Sequence, residues 1–273
     1  MAETLKKVLF VNTEIYPYLP ESAIANIGRA LPQGIQERKK EIRAFMPRFG
    51  CINERKNQLH EVIRLSGMNI VVGDVDRPLV IKVASIPAAR IQVYFIDNED
   101  YFKRKAIFSD ADGRFFSDND ERAIFFAKGV LETVKKLRWA PDIIHCHGWM
   151  SALVPAYLKM VFRDDPIFSS SKVVLSLYND IPGAKFSSDF AAKAATAGLK
   201  AEVLPISAAS DGIKLAETAA KYSDAVIFGS PDIDASLAQY CKSLGIPVLP
   251  YNAGSFADGS YMDEYNALYD KLL

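Results

Sequence analysis

The sequence predicts an α/β fold in which a mostly parallel β-sheet is flanked by helices. Short, almost wholly apolar runs such as Val8 to Val11, Val173 to Leu177 and Ala225 to Phe228 have the character of strands buried on both faces. Segments with helical spacing stand between them, and that alternation is the mark of βαβ units. With 49% hydrophobic and 24% charged residues, the 273-residue chain can bury a large core. Residues 1–273 are expected to form one domain, because no repeat or low-complexity linker divides them and α/β domains of this length often share one core.

Lys7 to Asn12 is the first strand. Ile24, Ile27, Leu31 and Ile35 then fall at helical spacing, and Glu41 to Met46 returns as a strand. The rhythm breaks over residues 58–97, where Leu59, Val62 and Leu65, then Ile70 to Val72, Leu79 to Val83 and Ile91 to Phe95 read as short strands separated by Gly and Pro. A small β-rich, antiparallel edge is expected there. Asn119 to Lys136 is a long helix with Ile124, Ala127, Leu131 and Val134 on one face, Asn119 as candidate cap and Pro141 as its stop. Strand Asp142 to Cys146, helix Met150 to Phe162, strand Val173 to Leu177, helix Gly212 to Lys221, strand Ala225 to Phe228, helix Ile233 to Leu244 and a short strand Pro247 to Leu249 follow. Last, Tyr261, Tyr265, Leu268, Tyr269 and Leu272 draw one apolar stripe along a helix.

The 33 basic and 33 acidic residues cancel, and no Lys or Arg run supplies the basic patch that a nucleic-acid partner needs. Cys51, Cys146 and Cys241 are odd in number and widely spaced, which suits reduced thiols in a cytoplasmic protein. Met1 to Lys7 puts basic residues before an apolar run, as a signal peptide would. That run ends after four residues at Asn12, too short for a signal h-region or a membrane span. No membrane partner is expected.

The phosphate and metal motifs GxGxxG, GxxxxGK[ST] and HExxH do not occur. His145, Cys146 and His147 form a compact cluster, and two histidines at i and i+2 of a strand share a face. A zinc site needs three or four ligands, whereas His60 lies in a distant segment. No metal and no cofactor is therefore expected. His145 reads as a hydrogen-bonded core residue, and His147, one step further toward the loop, as the residue facing a ligand. Asp118, Asp120 and Glu121 complement the dipole of the long helix at its start. Aromatic pairs such as Tyr94 and Phe95, Tyr101 and Phe102, and Phe115 and Phe116 suit packing better than sugar stacking. In such sheets ligands bind beyond the carboxyl ends of the strands.

Three stretches carry a family resemblance: Tyr94 to Phe102 (YFIDNEDYF), Asp118 to Phe126 (DNDERAIFF) and Trp139 to Lys159, with His145-Cys-His147-Gly-Trp149 at its heart. The chain resembles the N-terminal domain of bacterial glycogen synthases and plant starch synthases, with weaker continuation through Lys172 to Asn179 and Tyr222 to Pro231. The resemblance implies a GT-B glycosyltransferase fold, two Rossmann-like domains facing across a cleft. It implies transfer of glucose from ADP-glucose to an α-1,4-glucan without a metal, with α-glucan or sugar nucleotide as ligand. The donor-binding C-terminal domain of the family has no counterpart in these 273 residues. In such enzymes the final helix crosses back over the first domain, so the stripe of Tyr261 to Leu273 is expected to pack onto the sheet.

The family's Lys-x-Gly-Gly-Leu loop after the first strand aligns without gaps between Glu14 to Pro17 and Ala30 to Pro32. Its lysine is Pro20 here and its glycine pair is Ser22 and Ala23, with Glu21 between. The exchange removes a cation and adds side chains where backbone must approach phosphate. An uncompensated carboxylate ~4 Å from a phosphate charge costs on the order of 4 kcal/mol at an effective dielectric near 20. The family's His-Asp-Trp is His147-Gly148-Trp149, which keeps the histidine expected to touch glucose and loses the carboxylate, and its His-Asn is Tyr178-Asn179. Any ligand is expected near Tyr18, His147, Trp149 and Asn179. His147 is the one retained catalytic-type position. A glucan-binding or regulatory protein without transfer activity follows. Its rivals are an ADP-glucose-dependent glucosyltransferase half completed by another chain and a small nucleotide binder; an oligomer or partner chain stays open.

Overall fold

The computed structural model describes residues 5–207 and 210–273, so Met1 to Thr4 of the basic start lie outside the described residues. The described strands are β1 (Lys7–Asn12), β2 (Glu41–Pro47), β3 (His60–Glu61), β4 (Met68–Val72), β5 (Val75–Ile86), β6 (Ile91–Asp97), β7 (Ile143–His147), β8 (Lys172–Leu177), β9 (Ala225–Phe228) and β10 (Val248–Leu249). They stand in the order β10-β9-β8-β7-β1-β2-β6-β5-β3, with β4 paired to β5. From β10 to β6 every pairing is parallel, and β5 joins β6 antiparallel. The β-rich excursion is thus antiparallel through β3, β4 and β5, but β6 is a member of the parallel sheet beside β2. Its partner residues, such as Ala44 and Val93, are far apart in sequence, and local patterning does not reveal such pairing.

The helices are α1 (Ala23–Glu37), α2 (Glu99–Phe102), α3 (Asn119–Leu137), α4 (Val154–Met160), α5 (Phe190–Thr196), α6 (Gly212–Lys221), α7 (Ala235–Ser243), α8 (Ala253–Asp258) and α9 (Tyr261–Leu272). In α3 the cap position belongs to Asp118. The Asn119 side chain instead donates to the Phe108 carbonyl at 2.9 Å and accepts from Arg122 at 2.6 Å. The helix ends at Arg138, left-handed with φ 52°, before Pro141 is reached. The helix expected from Met150 to Phe162 is broken into a 3-10 turn, Trp149–Ser151, and α4. Pro155 accounts for this, since it has no N–H to give a continuous helix and is favoured in a first turn. The short helices α2, α5 and α8 escape periodicity. Two of them carry Asn caps, with Asn98 accepting from the Asp100 and Tyr101 amides and Asn252 from those of Gly254 and Ser255.

Helix α9 lies on the sheet as its stripe requires, with Tyr261, Tyr265, Leu268 and Tyr269 each at most 9% exposed. At its rim Lys40 meets Asp270 and Asn266 at 2.7 Å each, and Arg38 meets Asp263 at 2.6 Å. These pairs are largely solvated on the acid side and add about 1 kcal/mol or less each. Burial carries the helix, at about 1.5 to 3 kcal/mol per large apolar side chain. Deleting residues 260–273 is expected to lower the melting temperature by more than about 10 °C, given roughly 2 to 4 °C per kcal/mol in a domain of this size. Differential scanning calorimetry checks this, and an unchanged melting temperature would place α9 outside the core.

Candidate functional site

At the carboxyl edge of the sheet, β8, β7 and β1 lie side by side. Their register sets Asn12 against His147 and His147 against Ser176, two residues beyond Phe10, His145 and Val174. Strand alternation puts Phe10, Asn12, His145, His147 and Ser176 on one face, beneath α9. Asn12, His145 and His147 are wholly buried. The two imidazole rings stand 3.8 Å apart between centroids. His145 is hydrogen-bonded through Nδ1 to the Tyr269 hydroxyl at 2.5 Å and through Nε2 to that of Ser176 at 2.7 Å. His147 Nδ1 meets the Tyr178 hydroxyl at 2.7 Å. Burial pushes the His147 pKa down to about 3; for His145 burial and then the neighbouring His147 act in the same direction. Both rings are neutral near pH 7, each with one N–H to give and one nitrogen to accept, and hydroxyls meet both nitrogens of His145 and one of His147. His147 Nε2 and both amide atoms of Asn12 have no partner among the described residues.

His147 is therefore a core residue behind Tyr178, where exposure toward a ligand was expected. The cause is that β7 begins and ends one residue later than the sequence suggested and takes in His147 as its last member. Cys146 points to the opposite face, also buried. Among the described residues no three His, Cys, Asp or Glu side chains are grouped to hold a metal ion.

Beyond β7 the chain turns at Gly148 with φ +81°. A Cβ there would stand 2.7 Å from the Thr13 Cβ and 3.1 Å from Asp180 Oδ2, so the conformation and the close approach both demand glycine. A carboxylate reaches this turn from the next loop, where Asp180 Oδ2 accepts from the Trp149 amide at 2.8 Å. Burial pushes the Asp180 carboxyl up to about 7, opposed by that amide and reinforced by the charge of Glu14. Glu14 is itself tied to the start of α1. Ser22 caps the helix by accepting from the Ala25 amide at 3.0 Å and donates to Glu14 Oε2 at 2.8 Å.

Of the residues singled out from the sequence, His147, Trp149 and Asn179 fall in this region. The Trp149 ring is 5% exposed among Phe108, Phe115 and Phe186, while Asn179 is exposed. Pro20, Glu21 and Ala23 are exposed at the entry to α1, and Ser22 is partly buried. Tyr18 stands apart, edge-on to Phe95 at 4.8 Å between centroids, and lines a groove over β5 that also contains His60. Asp180, Asn12 and the anchoring of Glu14 were not anticipated. The one available signal was the position of Asp180 just past a strand end, on the ligand edge.

This fold, a mostly parallel sheet flanked by helices with polar residues gathered at its carboxyl edge, is a Rossmann-like domain of the GT-B type. Residues 7–241 match the model of the starch synthase catalytic domain, and the chain belongs to that family. A glycogen synthase of Chlorobium luteolum is 44% identical over 63% of this chain and 36% of its own length. One from Chlorobaculum parvum is 36% identical over 87% of this chain and 48% of its own. The chain thus spans between about a third and a half of these relatives. In fold it resembles the catalytic domain of starch synthase IV from Arabidopsis thaliana, solved with ADP and acarbose, at TM-score 0.70 and 16% identity over 91% of this chain and 51% of that one.

The Asp180 carboxyl gives a pH prediction. Its folded pKa is raised, so its contribution to stability is full below the unfolded value near 4 and is lost as pH rises toward about 7. The buried histidines act oppositely, since their depressed pKa values cost stability as pH falls below about 6.5. Asp180→Asn isolates the first effect. Denaturant titration is expected to show the variant gaining on the parent between pH 4 and pH 8 by a few kcal/mol, on the order of the shift converted at 1.36 kcal/mol per unit. A difference that stays flat with pH would contradict the burial assigned to Asp180.

Proposed function

We propose that this domain binds α-glucan and does not itself transfer glucose from ADP-glucose. The observation that carries the reading is the start of α1. Its N-terminus, the natural seat for a phosphate, is capped by Ser22, whose hydroxyl also fastens the Glu14 carboxylate there. A glycine pair would leave that entry open to a diphosphate. Here an incoming diphosphate meets the fixed negative charge of Glu14, the exposed Glu21 and no lysine at position 20. Transfer of this kind depends on preorganised positive charge around the leaving group. The burial of His147 behind Tyr178 removes from the surface the one retained catalytic-type side chain. Family membership supports a glucan as the ligand, and the three unpaired thiols suit a cytoplasmic setting.

Titration calorimetry with ADP-glucose and with maltoheptaose, run beside a radiolabelled transfer assay on glycogen, tests this. Heat from maltoheptaose alone, with no incorporation, is the expected result. ADP-glucose-dependent incorporation by the homogeneous chain would overturn it, and incorporation that requires a second added chain would favour the rival half-enzyme. The triple variant Pro20→Lys, Ser22→Gly and Ala23→Gly is expected to gain ADP-glucose affinity relative to the parent. No gain would show that the loop is not what excludes the donor.

A further inference from the structure

We propose that the free edge of β4 docks a second copy of this chain, so that two domains join as an antiparallel, two-fold pair. Such a pair does not depend on which ligand the domain takes. The sheet has β6 along one side of β5, with β3 and β4 along the other. No strand follows beyond β4, and its outer edge has no backbone partner among the described residues.

The register with β5 decides which backbone groups that edge presents. Asn69 stands opposite Pro78, which has no N–H, and the Pro78 carbonyl turns away from β4 to accept from Asn98 Nδ2 at 2.9 Å. Asn69 is therefore in a non-hydrogen-bonded pair, and by alternation so is Val71 opposite Asp76. The N–H and C=O groups of Asn69 and Val71 thus point outward, and both residues are exposed. Edge strands are commonly blunted by lysine, proline or an inward charge. Met68–Val72 contains none of these.

Pairing about a two-fold axis requires a self-complementary edge. With Ile70 on the axis, Asn69 of each copy lies opposite Val71 of the other, and every outward N–H and C=O meets its counterpart. The same axis sets the turn at Gly73 and Asp74 of one copy beside Ser66 and Gly67 of the other. Charges complement each other there. Asp74 is exposed at the turn, while Lys136 donates to the Ser66 carbonyl at 3.2 Å and Arg64 is exposed just before it. Ile63, 74% exposed, and Val75, 47% exposed, stand at these same two ends and bring apolar surface to the pair. An arbitrary extended peptide could use the backbone groups but would lack the charge match, which selects a second copy.

Sedimentation velocity of the full chain from roughly 1 to 500 µM tests this, since a short edge makes a small interface and associates weakly. A rise from the mass of one chain toward twice that mass is expected. A single-chain mass at every concentration would overturn the pairing. Val71→Pro removes an outward amide and spares the bonds to β5, so association is expected to weaken by roughly tenfold or more. Asp74→Lys is expected to weaken it roughly threefold, and adding Lys136→Glu to that variant to restore it, because the two charges meet across the axis. Circular dichroism confirms that each variant is folded. Association unchanged in both Val71→Pro and Asp74→Lys would overturn the assignment to β4. Amide hydrogen exchange of the parent gives a readout free of variants. The Asn69 and Val71 amides are expected to exchange more slowly as concentration rises, and slowing confined to other residues would overturn the proposal.

Discussion

Two histidines side by side at the carboxyl end of a central parallel strand set the condition that much of this domain meets. A buried imidazole without partners carries the desolvation cost of a polar group left unpaired, of the order of kcal/mol each. No backbone donor or acceptor can serve, because the neighbouring strands use theirs in the ladder. The hydroxyls of Ser176 and Tyr178 reach the histidines from the strand beside them, and that of Tyr269 from the helix above. The last helix is therefore bound to the sheet in two ways, by its apolar stripe and by a hydrogen bond that His145 needs. Its tyrosines are suited to both tasks, each presenting an apolar ring and a polar tip.

The long, strongly periodic elements were legible in the sequence because their signals are local. The first strand, helices α1, α3 and α6, and strands β8 and β9 fall within a residue or two of where hydrophobic spacing sets them. The apolar stripe likewise marked α9 as a helix with one buried face. What was not legible depends on distance along the chain. The pairing of β6 with β2 joins residues about fifty positions apart, and nothing in the run Ile91 to Phe95 says whether its neighbour is parallel. The burial of His147 turned on a single residue of strand extension. Tyr18 and His147 both follow the logic of strand-end loops, yet the loop after β1 carries Tyr18 sideways to Phe95 while His147 is buried behind Tyr178, and only the folded chain shows them apart.

Gly148 shows how close packing decides which chain segment can bring a carboxylate to this turn. A side chain at 148 is excluded by Thr13, so a carboxylate in that space must come from elsewhere. Asp180 supplies it, but from a loop and not from the end of β7, and its position depends on how that loop is held. Two further glycines hold it. A Cβ at Gly229 would run into the Tyr178 ring, and one at Gly212 would meet Pro182 at 2.8 Å. The Gly212 amide also donates to the Pro182 carbonyl at 3.0 Å. Tyr178 can reach His147 because Gly229 gives its ring room. Gly148, Tyr178, Asp180, Gly212 and Gly229 form one consistent packing, in which each close contact has a glycine opposite it and the half-buried Asp180 carboxyl accepts from an amide. A side chain added at any of these glycines would have to displace its neighbour, since changes in a packed interior mostly destabilise. The strand-end region is thus one mutually fitted part of the core, in which the positions of Tyr178 and Asp180 depend on the glycines that face them.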